Sequence, residues 1–128
     1  MIILNFSHPL NEEQVMGVAS LANQRIERVV DIGCNLDHDR PFAEQMEELI
    51  LSVPLTTADW QNKPILINLP SLNYAAAVLL AQLHGLMGYF PPCMRLKPKQ
   101  EGIARRFEPA ELLNLQVLRD KARSSLRG

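Results

Sequence analysis

The sequence predicts an α/β domain, a mainly parallel sheet of four to five strands with helices on both faces. Three observations carry the prediction. Short apolar runs alternate with segments of helical periodicity as strand, helix, strand, helix, strand, helix, strand, helix, an order that right-handed crossovers turn into a parallel sheet. The 128 residues, 47% hydrophobic and 21% charged, suit a single domain over 1–128 with a real core and rule out a disordered or fibrous chain. Pro64 to Pro92, PILINLPSLNYAAAVLLAQLHGLMGYFPP, joins a buried strand to a helix that is apolar nearly all round. Such a helix needs covering on both sides; the sheet is one cover and a second copy of the chain is the candidate for the other.

Ile2 to Phe6 is the first strand. No basic segment precedes its apolar run, which stops at Asn5, so it does not read as a signal peptide. Asn11 is the N-cap of a helix to about Asn23, with Glu12 and Glu13 in the first turn and Val15, Val18, Ala19 and Ala22 on one face. Ile26 to Ile32 is the second strand, broken by Gly33. The loop Cys34 to Arg40 leads into a helix with Pro41 at N1 and Phe42, Met46, Leu49, Ile50 and Val53 at helical spacing, ended by Pro54. A turn from Thr57 to Gln61 around Trp60 precedes the third strand, Ile65 to Leu69. Ser71 is the expected N-cap of the apolar helix, Leu72 to Gly88, with Leu79 and Leu83 expected on its solvent side. Met94 to Lys97 reads as the fourth strand, Pro98 to Arg106 as a basic loop, and Arg105 to Glu108 as a short fifth strand. The last helix runs from about Pro109 to Ser125, with Leu112, Leu115, Leu118 and Ala122 on one side and its cations toward the C-terminus.

With the first strand in the middle, the second on one side and the third on the other, the topological switch point falls between strands one and three, where open α/β sheets bind ligands. Its crevice is walled by two turns of similar composition. The first is Asn5, Phe6, Ser7, His8 and Pro9; the second is Asn68, Leu69, Pro70, Ser71, Leu72 and Asn73. Asparagine, serine and exposed backbone amides hold phosphates and base edges without charge. The alternative is that the serines only cap helices and the asparagines only suit turn geometry. His8 is the one histidine expected at the crevice, as a general acid or base, a phosphate donor or a solvent-exposed turn residue. His84 lies 13 residues beyond Ser71, roughly 20 Å along the helix, and belongs to the core or an interface.

The net charge of −1 divides into −6 over residues 1–64 and +5 over residues 65–128, so an anionic ligand is expected on the positive half. Lys97 and Arg105 are the candidate ligand cations there, within a stretch also holding Arg95, Lys99 and Arg106, with one acid, Glu101, and then Phe107 for stacking. An overall acidic protein with 5% aromatic residues is not expected to track long nucleic acid. No stretch of about 18 apolar residues runs unbroken, so no membrane span is expected and the location expected is cytoplasmic. Cys34 and Cys93 have no C-x-x-C spacing and read as free thiols, and Asp37, His38 and Asp39 read as a solvated loop, so neither a metal nor a cofactor is expected. The Rossmann G-x-G-x-x-G, the P-loop and the G-x-S-x-G elbow are absent.

MIILNFSHPL, WQNKPILINLPSLNYAAAVLLAQLHGLMGYFPP and RFEPAELLNLQVLRDKAR together resemble the small CRISPR-associated Csx-type proteins encoded beside type III CRISPR systems. These segments cover well over half of the chain, and Glu27 to Thr57 is not distinctive. The resemblance implies a small Rossmann-like three-layer sandwich, similar to the CARF (CRISPR-associated Rossmann fold) domains, which dimerise and hold a cyclic oligoadenylate across their two-fold axis at the strand ends. It also implies a cyclic tetra-adenylate ligand, either sequestered, damping the antiviral signal, or cleaved as ring nucleases do. Metal-free ring cleavage needs the ribose 2′-OH in line with phosphorus and donors on the developing charge, and here His8 is the sole candidate base. Binding is therefore expected ahead of catalysis. A protein-interaction module docking through the apolar helix is the alternative of a different class.

Overall fold

Three four-residue runs, Ile2–Asn5 (β1), Arg28–Asp31 (β2) and Ile65–Asn68 (β3), lie parallel side by side in the computed structural model, which describes residues 1–128. Cys93–Glu101 (β4) joins β3 in parallel through Ile67 opposite Cys93, and Ala104–Leu113 (β5) pairs antiparallel with β4. The order β2-β1-β3-β4-β5 puts the switch point between β1 and β3, as the sequence predicts. The fold is a small α/β sandwich of the Rossmann-like kind.

Alternate strand residues face opposite layers. Ile2, Leu4, Ile65 and Ile67 point to one side and pack with Met46 and Ile50 of Phe42–Ser52 (α2), Trp60 of Thr57–Asn62 (α3), and Ala75, Leu79, Leu83 and Met87 of Asn73–Met87 (α4). Ile3 and Leu66 point to the other side, with Val18 of Glu12–Ala22 (α1) and Met94. Asn11 caps α1 reciprocally with Gln14, and Asn23 ends it in the left-handed region at φ 50°. A Cβ at Gly17 would lie 3.0 Å from the Pro109 Cγ, so glycine lets α1 settle on β5.

The largest departure from expectation is the basic loop. Residues 93–113 form a long β-hairpin closed by Gly102 and Ile103, with Gly102 at φ 60°, the geometry of a two-residue turn with glycine first. Pro109 does not start a helix, because β5 is the sheet's outer strand and an edge residue needs no ladder N–H. A bulge between Arg95 and Leu96 accommodates that part of the ladder. The last helix is therefore shorter, Leu115–Ser125 (α5), with Asn114 as N-cap accepting from the Val117 N–H. β4 has already met the penultimate residue of β3 at Cys93, so the hairpin runs about 20 Å past the C-terminal edge of the parallel strands.

Two readings of α4 are corrected. Its N-cap position is Leu72, not Ser71, and no side chain caps it. Leu79 and Leu83 are fully buried on the sheet, and the helix's outer stripe is Ala77, Ala81 and Gly85. His84 packs against Phe90 with ring centroids 4.3 Å apart and the ring planes tilted by 48°. No residue of α5 is buried, and Leu118 and Leu126 are exposed. No helix is long and apolar enough to cross a membrane.

Candidate functional site

The two asparagine turns meet at the floor of the crevice. Asn5 is fully buried, and all four hydrogen-bonding positions of its amide are filled from within the chain. Nδ2 donates to the His8 carbonyl at 2.8 Å and to Asp31 Oδ1 at 2.9 Å; Oδ1 accepts from the Ser7 N–H at 3.0 Å and from Asn68 Nδ2 at 2.9 Å. Main-chain bonds from Phe6 N–H to the Asn68 carbonyl and from Ile32 N–H to the Asn5 carbonyl tie the same three strand ends together. Asn5 therefore shapes the first turn and has no donor left for a ligand. Asn68, at the same level of β3, spends one N–H on Asn5.

Above this floor the crevice has two lobes divided by Ser7, His8, Pro9 and Ser71, which line both. One lobe, about 220 Å³, lies toward β2 and is walled by Gly33, Cys34, Asn35, Pro70 and Leu72. The other, about 390 Å³, lies toward the hairpin and adds Leu10, Gln14, Asn68, Leu96 and Phe107. The larger lobe falls within the usual range of small-molecule sites, about 300–1,000 Å³. Gln14 braces its far wall: its Oε1 accepts the Asn11 N–H of the capping box while its Nε2 donates to the Phe107 carbonyl at 2.9 Å. The uncapped first turn of α4 follows Ser71, where backbone N–H groups and the positive end of the helix dipole favour an anion. Asn73 Oδ1 takes the Tyr74 N–H.

Of the twelve residues the sequence nominates, Phe6, Ser7, His8, Asn68, Pro70, Ser71 and Leu72 line the lobes. Asn5 lies beneath them, and Leu69 packs against the core. Asn73 is exposed at the start of α4. Lys97 and Arg105 stand on the hairpin and line neither lobe. The hairpin also answers the basic charge read from this stretch. Arg95 meets Glu111 at 2.7 Å, Lys97 meets Glu108 at 3.6 Å, Lys99 meets Glu101 at 3.0 Å, and Arg106 lies 3.9 Å from Glu101. The Glu101 carboxylate holds the Lys99 ammonium above its ordinary range, and Lys99 in turn holds Glu101 below its own. A third cavity of about 210 Å³ between α1 and the hairpin is walled by these paired charges.

Gly33, Cys34 and Asn35 escaped the sequence reading although they follow β2, the neighbour of β1, and so share the same sheet edge. Gln14, Leu96 and Phe107 join the crevice through the hairpin, for which E-G-I-A at 101–104 was the available signal. Burial alone raises both thiols, and it pushes Cys93 up to about 12. Asp39 N–H bonds to Asp37 Oδ1 and the His38 ring lies edge-on to Phe42, and no three acidic, cysteine or histidine side chains converge as metal ligands. No protein-family model, curated protein or solved structure matches this chain.

Proposed function

We propose that this protein binds a cyclic oligoadenylate, cyclic tetra-adenylate above all, in the β1/β3 crevice of a homodimer, and damps type III CRISPR signalling in the cytoplasm by sequestering it. The observation that carries the reading is the crevice itself: hydroxyls and an amide on two turns at a topological switch point, beside the uncapped backbone N–H groups that open α4. Neutral donors suit a polyanion that is held and later released. The exposed stripe of α4 and the unburied α5 supply apolar surface for the second subunit.

Cleavage of the ring is the second reading, and His8, exposed and common to both lobes, favours it. Radiolabelled cyclic oligoadenylates run on native and denaturing gels separate the two, alongside light scattering for mass. The expected results are a native shift, an unaltered ring on the denaturing gel and a dimer. Ser71→Pro obstructs the approach to the α4 amides and should weaken binding about tenfold or more, whereas His8→Ala should leave it nearly unchanged. A product that disappears in His8→Ala makes the protein a ring nuclease. A dimer without any shift makes it an interaction module, and affinity lost only in Lys97→Glu or Arg105→Glu moves the ligand to the hairpin.

A further inference from the structure

The larger lobe has a chemical polarity of its own. Asn68 is 7% exposed, yet its Oδ1 accepts no hydrogen bond within the chain and is not sealed from solvent. Which end of this amide faces the lobe is fixed from below. The Ser7 N–H can only donate, and the His8 carbonyl and Asp31 carboxylate can only accept, so Asn5 has one orientation and presents Oδ1 to Asn68. Asn68 must then give Nδ2 to Asn5, which leaves Oδ1 and one N–H of the same amide without a partner in the chain, on a residue that lines the lobe. Phe107, half-exposed, and Leu96 form the apolar wall beside it, with Gln14 holding the Phe107 backbone in place.

We propose that this lobe is a nucleobase subsite that selects a base bearing an exocyclic amine, read by Asn68 Oδ1 and its remaining N–H, with Phe107 as the stacking surface. An asparagine amide pairs with an amino group and the neighbouring ring nitrogen of adenine, and the same donor–acceptor edge occurs on cytosine. A base with a carbonyl there sets oxygen against Oδ1, and the amide cannot turn over in response because Asn5 pins it. Aromatic stacking adds affinity without regard to sequence. Asn68 and Phe107 are thus specificity and affinity residues respectively, and Asn5 is a positioning residue. The inference deepens the reading of the crevice as a nucleotide site and rests on it.

The test follows the Asn68 side-chain amide and the Phe107 ring by NMR during millimolar titrations with AMP, IMP, CMP and UMP, and measures binding of cyclic tetra-adenylate and cyclic tetra-inosinate. AMP and CMP should move both signals, with IMP and UMP about tenfold weaker. Asn68→Ala should bring AMP and IMP to within about twofold of each other, and Phe107→Ala should weaken all four about tenfold or more without changing their order. Should Asn68→Ala fail to fold, the wild-type AMP to IMP ratio decides alone. Equal binding of the adenylate and inosinate rings overturns the base subsite and leaves the ring reading standing. Mononucleotide discrimination without ring binding does the reverse. Titrations that move neither Asn68 nor Phe107 overturn the subsite outright.

Discussion

Replacing Asn5 by aspartate exchanges a single NH2 for oxygen and strikes the network under the crevice. The two contacts in which Oδ1 accepts survive Asn5→Asp. The two in which Nδ2 donates, to the His8 carbonyl at 2.8 Å and Asp31 Oδ1 at 2.9 Å, become oxygen facing oxygen. Unit charges at that separation repel by about 6 kcal/mol at an effective dielectric of about 20, an upper bound because Asp31 reaches solvent. Leaving a buried charge without its partner costs about 3–5 kcal/mol, and that is the loss expected at neutral pH, roughly 10–20 °C in Tm for a chain of this size. The new carboxyl's folded pKa lies above its unfolded value near 3.9, so the folded chain binds more protons than the unfolded one between the two. The deficit against wild type therefore shrinks as pH falls through that window. Asp31→Asn, added to the first change, puts an amide donor opposite the new carboxylate and should restore most of the stability. Urea titrations of wild type, the two single variants Asn5→Asp and Asp31→Asn, and the double variant at about pH 7 and about pH 5 measure this. A single variant within about 0.5 kcal/mol of wild type, or a double variant no better than Asn5→Asp alone, refutes the network.

The thiols provide a check on the lobes. Cys34 lines the smaller lobe and Cys93 is buried with its pKa pushed up to about 12, so a thiol reagent on the native protein at mildly alkaline pH should modify Cys34 alone, faster as pH rises, and Cys93 only in denaturant; equal rates for both would contradict the burial. At the hairpin tip, Gly102→Val forces a β-branched residue to φ 60° and should cost about 1–2 kcal/mol by denaturant titration, with Gly102→Asn costing clearly less. Equal losses in the two variants would mean that the turn has another geometry.

The parallel half of the fold was legible because each of its signals is local. The two buried apolar strands β1 and β3, the Asn11 cap, Pro41 at the start of α2, at the N-cap position and not N1, and Gly88 closing α4 in the left-handed region all read directly from neighbouring residues. The hairpin was legible only in part: Met94 to Lys97 and Arg105 to Glu108 lie within β4 and β5, but the full reach of the two strands was not legible because their stabilising pairs are remote in sequence. Arg95 finds Glu111 and Lys97 finds Glu108 across the ladder, so a stretch that reads as uncompensated cation is an ion-paired ribbon. Pro109 misled for a similar reason. A proline is a good first residue of a helix and an acceptable residue of an outer strand, and only the sheet order distinguishes the two. Leu79 and Leu83 misled because a helix apolar all round carries no moment to say which side meets the sheet; the small size of Ala77, Ala81 and Gly85 was the one cue to its outer stripe.

The division of labour between the two asparagines explains why the candidate site was only half legible. Both end a parallel strand, both precede a turn containing serine and proline, and the sequence treats them alike. Their register places them opposite each other on β1 and β3, and adjacent amides facing one crevice cannot both turn outward without leaving a buried polar group unpaired. Asn5 has a third strand end within reach, Asp31 on β2, and takes the inward role with every position filled. Asn68 has β4 as its other neighbour, where the side chain of Met94, the residue after the Cys93 that stands opposite Ile67, carries no hydrogen-bond donor to complete its amide. The free acceptor in the larger lobe is thus a consequence of strand order: on β1 the same residue type is saturated, and on β3 it is left open to whatever the crevice holds.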